Sequence, residues 1–426
     1  MPIKPTKKEP VQKAKGMHDI LPKEYLLRKK FVEKAAAIAF FYGFKPVRTP
    51  ILEKEELFTT TLGETTDIVE KEMYNLKTKG GDKLVLRPEG TAPMTRLYIE
   101  HGLHTKPQPV MLYYEGSFFR HENPQKGRRR EFEQLGLEIL GETDPITDAT
   151  IIKTFLVILE EAAGLKPITL RINSVGCKNC RKAYLKELTT YLRKKSSYLC
   201  KNCNRRIKTN PLRILDCKEE SCAKIKEEAP QIINYLCDPC KNHFKETLEV
   251  LDSSEIPYYI DHYLVRGLDY YSRTAFELTI EDDSLVLVGG GRYDSLAKML
   301  GGKDIPAVGA ALGVDRVIEK MKEKGKDDLE KKKPKVFFIQ LGNEAKFKSL
   351  KILEILRKAK IPVRHSLTKN SMRGQLNLAG KTKAPYALIF GQKESLDNSI
   401  IVKNVETASQ ETVPLSNLAE YLKKKL

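Results

Sequence analysis

The chain has no tryptophan and only 8% aromatic residues, and none of its eight cysteines lies before Cys177 or after Cys240. No stretch approaches the roughly 18 consecutive apolar residues that a transmembrane helix needs, so no membrane partner is expected. Residues 1–15 lack an apolar core segment and contain neither Arg nor Ser, which argues against a secretory signal or a transit peptide. They look like a loose basic arm, and a cytoplasmic protein is expected. With 22 Pro, 26 Gly and 41% hydrophobic residues, collagen-like and wholly disordered classes are excluded as well. Acidic residues are in deficit, 56 against 75 Lys plus Arg, for a formal charge of +19. Such an excess favours a polyanionic partner through counterion release and long-range attraction, nucleic acid being the natural candidate. Solubility alone accounts for it equally well, so the motifs must decide.

A chain of 426 residues exceeds one ordinary core, since domains run about 100–200 residues. From Tyr25 the residues Leu26, Leu27, Phe31, Ala35, Ile38 and Ala39 recur at helical spacing until Gly43, predicting a long amphipathic helix. Phe44–Val47 is extended and closes at Thr49-Pro50. Strands are expected at Lys83–Leu86, and at Val110–Phe119 and Phe132–Leu140 as a long hairpin. From about Leu170 to Leu251 the composition changes, with every cysteine and many lysines, which marks an inserted module. Strand-like sequence resumes at Tyr258–Tyr271, Thr274–Thr279 and Leu285–Val288, followed by a glycine run, and a helix surrounds Ile318. The charged stretch Glu323–Lys333 is a linker, with a domain boundary near Pro334. Beyond it, Val336–Gln340, Lys348–Ala359, Val363–His365 and Tyr386–Gly391 alternate strand and helix, predicting a small α/β domain with a mostly parallel sheet.

Chemistry concentrates in a few segments. Phe118-Phe119-Arg120-His121-Glu122 and Arg130-Glu131-Phe132-Glu133-Gln134 place arginines and a phenylalanine on two antiparallel strands. Guanidinium groups fork onto phosphate and an aromatic face stacks on a base, so such a surface suits a nucleotide; the alternative is a solvated basic hairpin touching RNA backbone. Further Arg- and Gly-containing segments occur at Leu86–Thr91, Val265–Tyr271, Gly289–Asp294 and Gly309–Arg316. Singly, each is equally a surface ion pair or a turn. Four of them would be an odd way to build a core.

Together they resemble one family. Phe40–Glu53, Phe118–Gln134 and Ala307–Arg316 are similar to motifs 1, 2 and 3 of class II aminoacyl-tRNA synthetases. Val265–Tyr271 and Gly289–Asp294 resemble the two signature segments of the histidyl-tRNA synthetases, and Leu86–Thr91 matches another segment of that family. The resemblance implies an α+β fold: a class II antiparallel sheet of six or seven strands with flanking helices over residues 1–330, interrupted by the Cys-rich insert at about 170–251. It also implies a C-terminal α/β anticodon-binding domain over residues 334–426. The implied enzyme is a ligase that activates L-histidine with ATP and Mg²⁺ and charges tRNA(His), working as a homodimer that pairs through motif 1.

By the same resemblance, Arg120 and Arg266 are catalytic and grip the α-phosphate and the reacting carboxylate. Arg128 and Arg316 hold the outer phosphates, Glu122 reads the adenine amino group, and Phe132 stacks on the ring opposite Arg316. Glu89, Thr91 and Gln134 take the α-ammonium, Glu138 and Tyr271 the imidazole nitrogens, and Tyr270 and Tyr293 line the pocket. Polar pairing of this kind discriminates between small rings far better than apolar shape does. The sequence departs from the family at Asn123-Pro124 and at Gly127-Arg128-Arg129-Arg130, where contacts to the RNA end are least defined. The rival from another class is a histidine-sensing regulatory paralogue without catalysis. Such proteins usually lack the C-terminal domain and active-site arginines, both of which are present here.

The cysteines pair as Cys177 with Cys180, Cys200 with Cys203, and Cys237 with Cys240, each Cys-x-x-Cys, with Cys217 and Cys222 more widely spaced. Eight thiols suffice for two structural Zn²⁺ sites of four ligands each. The family does not imply zinc, since relatives often carry only part of this set. Free buried thiols remain an alternative, with disulfides less favoured in a reducing compartment. Gly380-Lys381-Thr382 imitates the end of a phosphate loop but follows no strand, and the seven histidines show no metal-like spacing.

Overall fold

A computed structural model describes residues 10–63, 66–123, 127–326 and 334–426. It divides into two compact units, residues 1–328 and 329–426.

Unit one opens with α1 (Pro22–Phe41), whose proline sits in the first turn, where a missing N–H is tolerated. Leu27, Phe31, Ala35 and Ala39 form its buried face, whereas Leu26 of the expected stripe is exposed and Ile38 only partly buried. The chain turns at Gly43 (φ 92°) into β1 (Lys45–Pro46). Next come β2 (Leu52–Lys54), α2 (Glu55–Leu62), β3 (Tyr74–Lys77), β4 (Lys83–Leu86) and α3 (Thr91–Glu100), with β2, β4 and β3 making a small antiparallel sheet. The expected hairpin is β5 (Val110–Phe119) and β6 (Glu131–Leu140), paired from Val110–Leu140 to Phe119–Glu131. Then follow α4 (Ile146–Val157), β7 (Ile168–Ser174), α5 (Lys178–Lys194), α6 (Lys201–Thr209), α7 (Glu220–Glu227) and α8 (Asp238–Ser253). The unit closes with β8 (Tyr259–Ile260), β9 (Ser272–Ile280), β10 (Val288–Arg292), α9 (Leu296–Met299), β11 (Ala307–Gly313) and α10 (Val314–Glu323).

The main sheet has eight strands in the order β1-β5-β6-β11-β10-β9-β7-β8. The six from β5 to β7 are antiparallel, and the two-residue strands at each edge run parallel to their neighbours. Those edges raise the expected six or seven strands to eight; two residues are too few to carry a periodic signal. Helix α4 lies against β6, β10 and β11, and α8 against α4 and β9.

Two expectations need correction. Tyr258–Tyr271 contains only the short β8, and residues 261–271 form a loop. The Asn173 side-chain amide donates to the carbonyls of His262 (3.3 Å) and Leu264 (3.1 Å), and the Asp261 carboxylate accepts the Tyr263 N–H (3.1 Å), so these groups are withdrawn from any ladder. In the other case the strand begins at Val288 and runs through the glycines to Arg292, not over Leu285–Val288. Leu170–Ser174 lies in β7 of the main sheet, and the helical segment after it has a core of its own around Tyr184, Leu188, Cys203, Ile207 and Ile214. Most of the charged stretch before Pro334, residues 327–333, is outside the described residues.

Unit two runs β12 (Val336–Gln340), α11 (Asn343–Lys358), β13 (Val363–His365), α12 (Met372–Thr382), β14 (Tyr386–Phe390), α13 (Gln392–Leu396), β15 (Ser399–Asn404), β16 (Gln410–Pro414) and α14 (Leu418–Lys425). Its sheet order is β13-β12-β14-β15-β16. The first three strands are parallel, but β15 and β16 add an antiparallel hairpin, so the sheet is mixed rather than mostly parallel. Gly380-Lys381-Thr382 ends α12 instead of opening a helix, which removes it as a phosphate loop. Among the described residues no helix is long and apolar enough to cross a membrane.

Candidate active site

The central strands of the main sheet form the floor of a cavity of about 180 Å³. Eleven of the thirteen expected histidine- and ATP-binding residues line it: Glu89, Thr91, Arg120, Glu122, Arg128, Phe132, Gln134, Arg266, Tyr270, Tyr271 and Arg316. The other two, Glu138 and Tyr293, are one layer deeper and almost fully buried.

The deep end is a polar network built on the start of α3. Glu89 accepts the backbone N–H groups of Thr91 (2.7 Å) and Ala92 (2.9 Å), which satisfies donors the helix leaves open, and it also accepts the Tyr270 hydroxyl (3.3 Å). Burial raises the Glu89 carboxyl above its ordinary value, against those hydrogen bonds and the positive charge of Arg120. Thr91 donates to Glu138 (2.9 Å), and the Tyr293 hydroxyl donates to its other oxygen. Burial pushes Glu138 up to about 8; hydrogen bonds from Tyr293 and Thr91 oppose the shift and the Glu89 charge adds to it. Gly309 on β11 makes this depth accessible, because a Cβ there would overlap the Glu138 carboxylate. Tyr270 packs on Tyr271 with ring centroids 4.8 Å apart and edge-on to Tyr293 at 5.9 Å.

The outer end is cationic. Arg120 donates to the Pro88 carbonyl (2.8 Å) and lies over the Phe132 ring (5.4 Å). Arg316 donates to the carbonyls of Gly127 (3.1 Å) and Val286 (2.7 Å). Burial lowers the affinity of Arg316 for its proton, and Arg128, Arg120 and Arg266 lower it further by like-charge crowding. Cations gathered at such cost are stabilised by an anion. Glu122 pairs with Arg128 (3.0 Å) and, more distantly, Arg120 (3.8 Å), so a nucleotide amino group would have to compete with these contacts. Arg266 pairs with Glu277, and Gly289 leaves room for its guanidinium, since a Cβ there would collide with it.

Three buried polar atoms of the cavity wall have no partner among the described residues: Tyr114 OH, Gln134 Oε1 and Arg266 Nε. Left unpaired, such groups are costly, and a polar ligand would satisfy them. Tyr114 was missed by sequence reasoning, because a tyrosine in a strand carries no signal beyond β propensity. Asp315 was missed too: it accepts from Arg28 (2.7 Å), Arg129 (2.9 Å) and the Glu133 N–H (2.8 Å), tying α1, the motif 2 loop and β6 together. Arg87 and Arg292, from the same recognised segments, are structural. Arg87 donates to Thr49 and Ser117 carbonyls, and fully buried Arg292 pairs with Asp148 (2.7 Å). Of the motif 2 departures, Pro124 lies outside the described residues.

Known proteins resemble this chain over nearly its whole length. A family model described as histidyl-tRNA synthetase matches residues 16–317, and one described as an anticodon binding domain matches residues 335–425. The histidine–tRNA ligase of Natranaerobius thermophilus is 43% identical, covering 96% of this chain and 98% of that protein. That of Caldicellulosiruptor bescii is 42% identical, covering 98% and 99% respectively. The crystal structure of apo S. aureus histidyl-tRNA synthetase superposes with a TM-score of 0.79 at 33% identity, covering 97% of this chain and all of that one. Matched from end to end by relatives at this level of identity, the chain belongs to the histidyl-tRNA synthetase family.

Proposed function

We propose that this chain is a histidine–tRNA ligase whose two half-reactions share the cavity under α3. In the first, the histidine carboxylate attacks the α-phosphorus of ATP, which enters with Mg²⁺ as part of the substrate, and pyrophosphate leaves. In the second, a terminal ribose hydroxyl of tRNA(His) attacks the acyl carbon, forming the ester and releasing AMP. One observation carries the reading: four guanidinium groups, Arg120, Arg128, Arg266 and Arg316, line one cavity whose far end holds the buried, hydrogen-bonding Glu89 carboxyl. A triphosphate and an amino acid with a cationic ammonium fit that polarity.

In this reading Arg266 and Arg120 offset the charge that builds on the α-phosphate and the attacking carboxylate. Arg128 and Arg316 hold the outer phosphates, and Phe132 and Arg316 sandwich the base, with Glu122 turning from Arg128 to its amino group. Glu89 and Gln134 take the ammonium; the unpartnered Gln134 Oε1 supports this. Thr91, already bonded to Glu138, relays between the ammonium site and the ring site. Glu138 and Tyr271 face the imidazole nitrogens, with Tyr270 and Tyr293 as walls. Residues 1–330 do the chemistry, the insert braces the acceptor arm, and residues 334–426 read the anticodon. Phe40, Phe41, Ile51 and Leu52 of the motif 1 region are exposed, which supports a homodimer pairing there. A silent histidine-sensing paralogue would have no use for the outer arginines.

Histidine-dependent exchange of pyrophosphate into ATP tests the reading. Wild type should exchange with histidine alone, and Arg266→Ala should lose about 10²–10³-fold. A folded, histidine-binding wild type with no exchange would reject the enzyme and favour the sensor.

A further inference from the structure

The cysteines of the insert line no part of the catalytic cavity. They fall into two groups: Cys177, Cys180, Cys237 and Cys240, and Cys200, Cys203, Cys217 and Cys222. Within each group the four Sγ atoms all lie within 4.8 Å of one another. We propose that each group binds one Zn²⁺ through four thiolates, and that the second ion holds the loop carrying Arg266, Tyr270 and Tyr271 in place.

The sulfur spacing separates this from the alternatives. Four sulfurs at a Zn–S length of about 2.3 Å on a tetrahedron stand about 3.8 Å from each other. Observed separations are 3.6 Å for Cys177–Cys180, 3.9 Å for Cys177–Cys237 and 4.0 Å for Cys200–Cys217. A disulfide needs about 2.05 Å, and all eight thiols are free. Unrelated core thiols have no reason to converge in fours. Backbone donors also point at the sulfurs: the Cys237 N–H donates to Cys180 (3.1 Å), Cys203 N–H to Cys200 (3.4 Å) and Cys200 N–H to Cys222 (3.4 Å). N–H groups on sulfur stabilise the thiolate that a metal requires. Cys177 and Cys237 cap α5 and α8, bringing two positive helix ends to the first group. Four protein ligands leave no open position, so the sites are structural.

Each knot has a distinct place. The first joins the chain leaving β7 to the chain entering α8, closing the base of the insert. The second gathers α6, the turn after it and α7, and between its ligands lie Arg206, Asn210 and Arg213. Arg206 (3.2 Å) and Arg213 (3.1 Å) pair with Asp67, Arg213 donates to the Gly267 carbonyl (3.3 Å), and Asn210 donates to Asp269 (3.0 Å). Gly267 and Asp269 stand in the pocket loop itself. The positioning role rests on the proposed histidine site, whereas the metal content does not.

The test is metal stoichiometry on the full chain, purified reduced and without chelator, by elemental analysis and by Co²⁺ titration after metal removal. Two equivalents are expected, with tetrahedral d–d bands and thiolate charge-transfer absorption. Saturation below two, or a spectrum without thiolate bands, overturns the proposal, and the wild-type titration decides this even if cysteine variants fail to fold. Cys180→Ser with Cys240→Ser should abolish one site, and Cys203→Ser with Cys217→Ser the other. Arg213→Ala, which leaves both metal sites intact, should raise the histidine KM about tenfold with little change for ATP. An unchanged histidine KM in that variant overturns the bracing of the loop.

Discussion

Replacing Glu138 by glutamine should flatten the pH dependence of stability in a direction that the burial of the site dictates. The carboxyl is fully buried and its affinity for a proton is pushed from 4.5 up to about 8. Across that interval the native protein keeps a proton that the unfolded chain has released. A raised value contributes stability that is fully present below about pH 4.5 and is lost as pH rises through about 8. At about 1.4 kcal/mol per pH unit, the loss reaches roughly 5 kcal/mol by the upper end. Glutamine keeps the shape but stays neutral, with one of the two hydroxyls now facing its amide N–H, so the variant should gain on wild type by about 1.4 kcal/mol per pH unit between about pH 5 and 8. Urea unfolding of both proteins at several pH values reads this difference directly. Parallel curves would refute the reasoning, because they would mean that Glu138 ionises as freely in the folded chain as in the unfolded one. In the same variant the histidine KM should rise, since a carboxyl with its proton available at neutral pH would no longer face the imidazole.

Gly309→Ala sets a methyl group against the Glu138 carboxylate and the Leu137 carbonyl; thermal unfolding should show a cost of about 1–3 kcal/mol and exchange should fall sharply, whereas unchanged melting and activity would count against the packing described. Arg292→Met strips the buried Asp148 carboxylate of its arginine and leaves it the longer contact to His243 (3.4 Å), so denaturant unfolding should show a loss of about 3–5 kcal/mol, with pyrophosphate exchange per folded molecule retained. Removing residues 334–426, a unit with its own core, should preserve histidine-dependent exchange and abolish efficient charging of tRNA(His), a split read by comparing the two assays on one preparation.

Much of this molecule is written locally. The four-residue recurrence from Leu27 to Ala39 makes α1 legible, and the long hairpin β5–β6 follows from two extended runs separated by a polar loop. Motif residues were legible because phosphate and carboxylate chemistry needs arginine, and close backbone approach needs glycine, at positions that keep their order along the chain. Other features have no local signal. The loop at residues 261–271 looks like strand by composition and is withdrawn from the sheet by Asn173, about ninety positions earlier in the chain. Tyr114 and Asp315 act through partners that only folding supplies, and neither residue type announces such a role.

The sequence by itself determined the helix and strand periodicities, the arginine- and glycine-bearing segments and the presence of eight cysteines, because each depends on residue type and spacing along one segment. Only the tertiary structure decided which thiols share a group, that Glu138 and Tyr293 sit a layer below the cavity, and that Arg266 engages the site while Arg292 is locked in the core. These depend on burial and on distances between atoms far apart in the chain, and the same side chain is an ion-pair partner, a ligand or a packing element according to what surrounds it.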